Sequence, residues 1–171
     1  MTIAQLIIDM QTVYLEEEPL ESKRIEQACM YINYVAEQLR SKEQIVVHVQ
    51  DVEGLTEENQ ASYQVIPEIS VLASDLRVQK RHSNAFWQTE LEEMLRSRGV
   101  ELVIISGFAA EHCVLFTYNG AAERGFKPVI LQNGILSAKS DIISSTYRDR
   151  NLISYPVVEF LMREGAAGEA P

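Results

Sequence analysis

The chain has 171 residues, 46% hydrophobic and 23% charged, with 15 basic against 25 acidic residues, a net charge of −10 and two cysteines. A chain of this length buries roughly 70% of its unfolded surface, so a full core is available without disulfide or metal staples. The acidity argues against nucleic acid or an anionic membrane as partner, and no apolar run approaches the ~20 residues of a membrane helix. Two distant cysteines, no CxxC motif and an N-terminus without a basic leader lead to the expectation of a reducing, cytoplasmic setting.

The first apolar run, Ile3 to Ile8, ends at Asp9. Ile25, Ala28, Cys29, Ile32, Ala36 and Leu39 then recur at helical spacing and mark one buried face. A second run, Ile45 to Val49, leads to Asp51, and the segment from about 52 to 75 has weak periodicity and reads as a long excursion over the site. A weaker strand is predicted over Leu76 to Gln79. Trp87, Leu91, Met94 and Leu95 form a helical stripe that stops at Gly99. The densest run, Leu102 to Ile105, is followed by Ser106-Gly107 and then by a stripe of Val114, Tyr118, Ala121 and Ala122 ending at Gly125. Pro128 to Leu131 and a short piece near Leu152 to Ser154 complete the strands, and Pro156 opens a last helix through Leu161.

Short β-branched runs that are apolar on both faces mark strands of a parallel sheet. Their alternation with helices predicts a three-layer α/β/α architecture, a mostly parallel open sheet of about six strands with a Rossmann-like layout. Residues 1–164 are expected to form one domain, with 165–171 a disordered tail.

In such sheets the ligand crevice lies at the carboxyl ends of the strands, at a topological switch point. Asp9, Asp51 and the turn Gly107 to Cys113 follow strands. If the chain reverses direction between the first and fourth strands, Asp9 and Cys113 become neighbours. Cys113 falls in the first turn of a helix, where the macrodipole and unpaired N–H groups lower a thiol pKa. Cys29, mid-helix on an apolar stripe, reads as packing. By themselves, Asp9 also suits a helix cap, Lys80 and Arg81 a solvated surface, and His82 and His112 exposed or satisfied histidines. His48 suits a hydrogen-bonded core position. His48, Asp51 and Glu53 are a poor zinc set, and neither a GxGxxG nor a GxSxG motif occurs.

Three segments together resemble the isochorismatase-like cysteine hydrolases, which include nicotinamidases and N-carbamoyl amidases. They are Ile7-Ile8-Asp9-Met10-Gln11, Lys80 to Phe86, and Gly107-Phe108-Ala109-Ala110-Glu111-His112-Cys113-Val114. The resemblance runs from Ile3 to about Leu161. It implies a catalytic triad of Asp9, Lys80 and Cys113, with Cys113 as nucleophile, Asp9 as proton acceptor and donor, and Lys80 as a fixed positive charge. It also implies oxyanion donors at the backbone N–H groups of Ala109 and Cys113, a cis peptide at Phe108–Ala109, and a pocket touched by Gln11, Tyr14 and Phe86. The expected partner is a small-molecule amide-type substrate, and relatives lead to the expectation of a homo-oligomer, dimer or tetramer.

The chain departs from the family pattern at several places. Ala110 replaces a threonine, Asn133 stands where an acidic residue is common, and Glu53 stands where nicotinamidases carry a metal-binding histidine, leaving Asp51 as the match. No metal and no cofactor are therefore expected. Isochorismatases proper lack the nucleophilic cysteine, so Cys113 points to C–N bonds. The expected function is cysteine-dependent hydrolysis of a small amide through a thioester at Cys113. The departures leave open an inactive or regulatory small-molecule binder, and an accessible thiol leaves open a redox protein.

Overall fold

The computed structural model describes residues 1–17 and 19–164, and the tail at 165–171 lies outside the described residues. The strands are β1 (Thr2–Ile8), β2 (Ile45–Asp51), β3 (Leu76–Lys80), β4 (Val100–Phe108), β5 (Lys127–Leu136) and β6 (Leu152–Ile153). They form a six-stranded sheet in the order β3-β2-β1-β4-β5-β6, with every neighbouring pair parallel. The helices are α1 (Thr12–Glu17), α2 (Ser22–Arg40), α3 (Leu91–Arg96), α4 (Leu115–Glu123), α5 (Ser140–Asp149) and α6 (Tyr155–Glu164). A π-helical turn, Ala110–Val114, leads into α4.

The strands are apolar on both faces because each face is covered. From β1, Ile3 and Ile7 pack against Ala28, Cys29, Ile32, Ala36 and Leu39 of α2 and Val158 and Met162 of α6. Its alternate residues, Ala4, Leu6 and Ile8, pack with Leu91 and Leu95 of α3 and Tyr118 and Ala121 of α4. Gln5, fully buried between them, ties three elements together, because its amide donates to the Ile32 carbonyl and the Ser106 hydroxyl. Among the described residues, no helix is long and apolar enough to cross a membrane.

All six predicted strands form, but two helical expectations change and two further helices form. The stripe expected from Trp87 becomes a helix only at Leu91, and Trp87 is 54% exposed. Side-chain bonds capture that stretch first: Asn84 accepts from the Phe86 N–H, Thr117 from the Ala85 N–H, and Thr89 donates to the Ala85 carbonyl. Such local bonds compete with helix formation. Ala122 is exposed, and Thr117 takes its expected place on the buried face of α4. Helices α1 and α5 lacked a recognised signal. α5 contains no fully buried residue, and only Ile142, Ile143 and Tyr147 lean on the core.

The switch point falls between β1 and β4, the central pair. There Gly107 pairs with Ile8 and adopts φ +109°, a region closed to residues with a Cβ. A Cβ at this position would overlap the Ile8 carbonyl oxygen. Gly107→Ala is therefore expected to destabilise the fold by at least ~3 kcal/mol in urea denaturation, through backbone overlap at the strand ends. A change near zero would show that the two strands separate easily.

Candidate active site

Four side chains converge at the carboxyl ends of the central strands. Asp9 follows β1 and Asp51 ends β2, while Lys80 ends β3. Cys113 lies in the π-helical turn after β4. Asp51 and Lys80 are register partners on adjacent parallel strands, so their side chains leave the sheet on the same side. Asp9 turns its side chain toward them through a left-handed backbone, φ +48°, which aspartate tolerates better than most residues. Its N–H remains bonded to the Val49 carbonyl at 2.9 Å.

The Lys80 ammonium sits at the centre. Its Nζ lies 2.6 Å from Asp51 Oδ2, 2.8 Å from Asp9 Oδ2 and 3.3 Å from Cys113 Sγ. The Lys80 side chain has no exposed surface. Each of its three N–H donors thus has an acceptor, which is what a buried ammonium requires. The second Asp9 oxygen, Oδ1, is buried without a hydrogen-bond partner among the described residues. Ligand atoms of Asp9, Asp51 and Cys113 all lie within 4.8 Å of one another. An unpartnered carboxylate oxygen beside a thiol is an available proton acceptor.

The electrostatics sharpen that role. Burial pushes the Asp9 carboxyl up to about 6, against the opposing pull of Lys80. Burial, then the Asp9 charge, pushes the Cys113 thiol up to about 12, again against Lys80. This corrects the expectation that the helix end lowers the Cys113 pKa: desolvation and a neighbouring carboxylate outweigh a short π-helical turn. Burial works against the Lys80 charge, but Asp9, Cys113 and Asp51 more than offset it, and the ammonium titrates above the usual lysine range. The resting site therefore holds a neutral thiol, a charged lysine and an aspartate that changes charge near neutral pH.

The other expected site residues fall in different surroundings. Gln11 is fully buried with both ends of its amide engaged. Its Nε2 donates to the carbonyls of Asp51 and Tyr63 at 2.9 and 2.7 Å, and its Oε1 accepts from the Asp51 N–H at 2.8 Å. Gln11 thus clamps the end of β2. Tyr14 is partly buried against Tyr63, edge to face at 6.3 Å. Burial, followed by the charges of Asp51 and Asp9, raises its pKa, so its ring borders the cluster as a neutral phenol. Phe86 is in the core, stacked on Phe126 at 5.8 Å, in the cluster against which Cys113 packs. Ala109 precedes the π-helical turn in extended backbone, and the Phe108–Ala109 peptide is cis.

His48 is buried, with Nε2 3.0 Å from Asp75 Oδ2, and Arg40 pairs with the same carboxylate. Glu53 is exposed and contributes its backbone N–H to Asp51 Oδ1 at 2.8 Å. Ala110 is fully buried in the turn. Asn133 is exposed at φ +63° where β5 leaves register, with its N–H donating to the Tyr147 hydroxyl. Cys29 is on the buried face of α2, with its thiol pushed up to about 12 by burial. The sequence reading missed Asp51 as a partner of Lys80. The available signal was that both close apolar runs that lie side by side once the sheet order is known.

The Isochorismatase domain model matches residues 4–146. The chain is similar to the isochorismatase family protein YaaI of Bacillus subtilis, 28% identical over 145 residues, covering 78% of this chain and 80% of that protein. Its fold is similar to that of N-carbamoylsarcosine amidase from Thermoplasma acidophilum, with a TM-score of 0.75 and 21% identity over 90% of this chain and 95% of that one. The pyrazinamidase of Pyrococcus horikoshii, solved in complex with zinc, is similar too, with a TM-score of 0.76 and 17% identity over 91% of this chain and all of that one. With the family model covering most of its length and the sheet built as that fold requires, the chain belongs to the isochorismatase family.

Proposed function

We propose that this protein is a cysteine hydrolase that cleaves a small-molecule amide or related C–N bond through a thioester at Cys113. The observation that carries this reading is the contact of one buried ammonium with both a thiol and a carboxylate that has a free oxygen. Relatives of the same fold whose names describe amidases support the choice of bond.

The steps follow from the atoms. The Cys113 Sγ–H proton passes to Asp9 as Sγ bonds the carbonyl carbon. A thiol titrating near 12 needs this coupling, since its free thiolate is scarce at neutral pH. Lys80 stabilises the developing sulfur charge and holds Asp9 in place. The oxyanion is met by backbone N–H groups, for which Ala109 and Cys113 are the candidates. The C–N bond then breaks as Asp9 returns its proton to the departing nitrogen, leaving the acyl group on sulfur. Water attacks the thioester, Asp9 takes a proton from it, and the acid leaves as the thiol reforms.

The test is ammonia release from a panel of primary amides and ureido acids by the purified protein. No turnover of any of them, with saturable binding of the same compounds, would favour a binding protein instead. Activity requires Asp9 as carboxylate. The acid limb of kcat/KM in the free enzyme is therefore expected to rise with pH and to have its midpoint near the Asp9 value of about 6. A rate that falls as pH increases through that region would contradict the assignment of Asp9 as base.

A further inference from the structure

We propose that Asp51 is a positioning residue that holds the Lys80 ammonium against Asp9 and Cys113, and that hydrolysis by this chain runs without a divalent metal. The inference rests on the reading of Asp9, Lys80 and Cys113 as the reacting site. The zinc bound by the pyrazinamidase of the same fold raises the question of whether these residues suit such an ion. They do not. Among the described residues, one group of potential metal donors forms, Asp9, Asp51 and Cys113, and all three already contact Lys80 Nζ. A divalent cation at that point would have to displace a fully buried ammonium and repel it.

The histidines that zinc favours are engaged or elsewhere. His48 is bonded to Asp75, His82 is exposed beside Gln88, and His112 is exposed on the π-helical turn.

Asp51 is built to hold rather than to react. Its backbone is locked by the Gln11 amide, and its Oδ1 accepts the Glu53 N–H. This leaves Oδ2, at 2.6 Å, for the ammonium. That bond is shorter than the one from Lys80 to Asp9, so Asp51 anchors the lysine while Asp9 keeps an oxygen free. The titratable groups facing Asp9 are Lys80 from β3, Asp51 from β2, Cys113 from the turn, and the Tyr14 phenol from α1. Two carboxylates share one ammonium, so removing the Asp51 charge makes ionisation of Asp9 easier.

The test compares wild type, Asp51→Asn and Asp51→Glu by steady-state kinetics and by carbon NMR titration of the Asp9 carboxyl, which needs no substrate. For Asp51→Asn the expected result is a fall in kcat of about 10- to 100-fold with KM nearly unchanged, the size typical of lost supporting contacts. The Asp9 midpoint should move to lower pH, and the acid limb of the rate should move with it. Asp51→Glu keeps the charge and displaces the ammonium, so its kcat should fall and the Asp9 midpoint should move to higher pH, opposite to Asp51→Asn. Wild-type turnover should survive exhaustive chelation.

An unshifted Asp9 midpoint in folded Asp51→Asn would overturn the proposal whether or not a substrate is known. So would full activity in Asp51→Glu if the asparagine variant fails to fold, and so would turnover lost on chelation and restored by zinc. A wild type inactive on every amide, with the midpoint shifted as expected, would instead remove the hydrolase reading and leave the positioning role standing.

Discussion

Cys113→Ala is expected to lower amide turnover by at least about a thousandfold, because it removes the atom that carries the acyl group. Its effect on stability should be modest, about 1–2 kcal/mol, since Cys113 is only partly buried but its loss leaves one Lys80 N–H without its acceptor. The thiol is also a poorly placed anchor for the fold, being the most distant of the three Lys80 contacts. Cys29→Ala provides the contrast. That thiol is in the core on the buried face of α2, so its loss should affect stability and leave the chemistry in place. Rates and urea midpoints measured on both variants separate the roles. Retained turnover in Cys113→Ala would remove the thioester from the mechanism.

Lys80→Met should abolish turnover and also destabilise the fold, by about 3–5 kcal/mol, the range for breaking a buried ion pair by removing one partner. The loss has a pH signature. Without the ammonium, Asp9 and Asp51 face each other buried and uncompensated, and the Asp9 pKa rises above its present value of about 6. A carboxyl whose folded pKa exceeds its unfolded one makes the folded state bind more protons, so its penalty appears as pH rises and fades as pH falls through the folded value. The difference between wild type and variant should therefore be largest above about pH 7 and shrink on acidification. Urea unfolding across that range checks it. A difference independent of pH would mean that the lysine contributes packing rather than charge.

The fold was legible because its strands are written redundantly. Runs such as Leu102 to Ile105 are short, β-branched and apolar on consecutive residues, which suits a strand covered on both faces. Helices that rest lightly on the core were harder to see. α5 has no fully buried residue, so little selects its apolar positions. Trp87 misled for the opposite reason: its spacing fits a helix, yet Asn84, Thr89 and Thr117 claim the local backbone.

The site shows the same division. Asp9 and Cys113 follow from strand ends and topology. The partnership of Asp51 with Lys80 depends on a parallel register between strands separated by the long segment 52–75, which no local pattern encodes. The Cys113 pKa was misjudged because the helix-end argument is local. Burial and the approach of Asp9, which decide it, are tertiary.

The most direct measurement is intact-mass and peptide-level mass spectrometry of the protein quenched during turnover of an amide that it hydrolyses. The expected result is an adduct equal to the substrate less its departing amine or ammonia, carried on Cys113 and absent from Cys113→Ala. Turnover at an undiminished rate in Cys113→Ala, with no adduct on the wild-type cysteine, would contradict it.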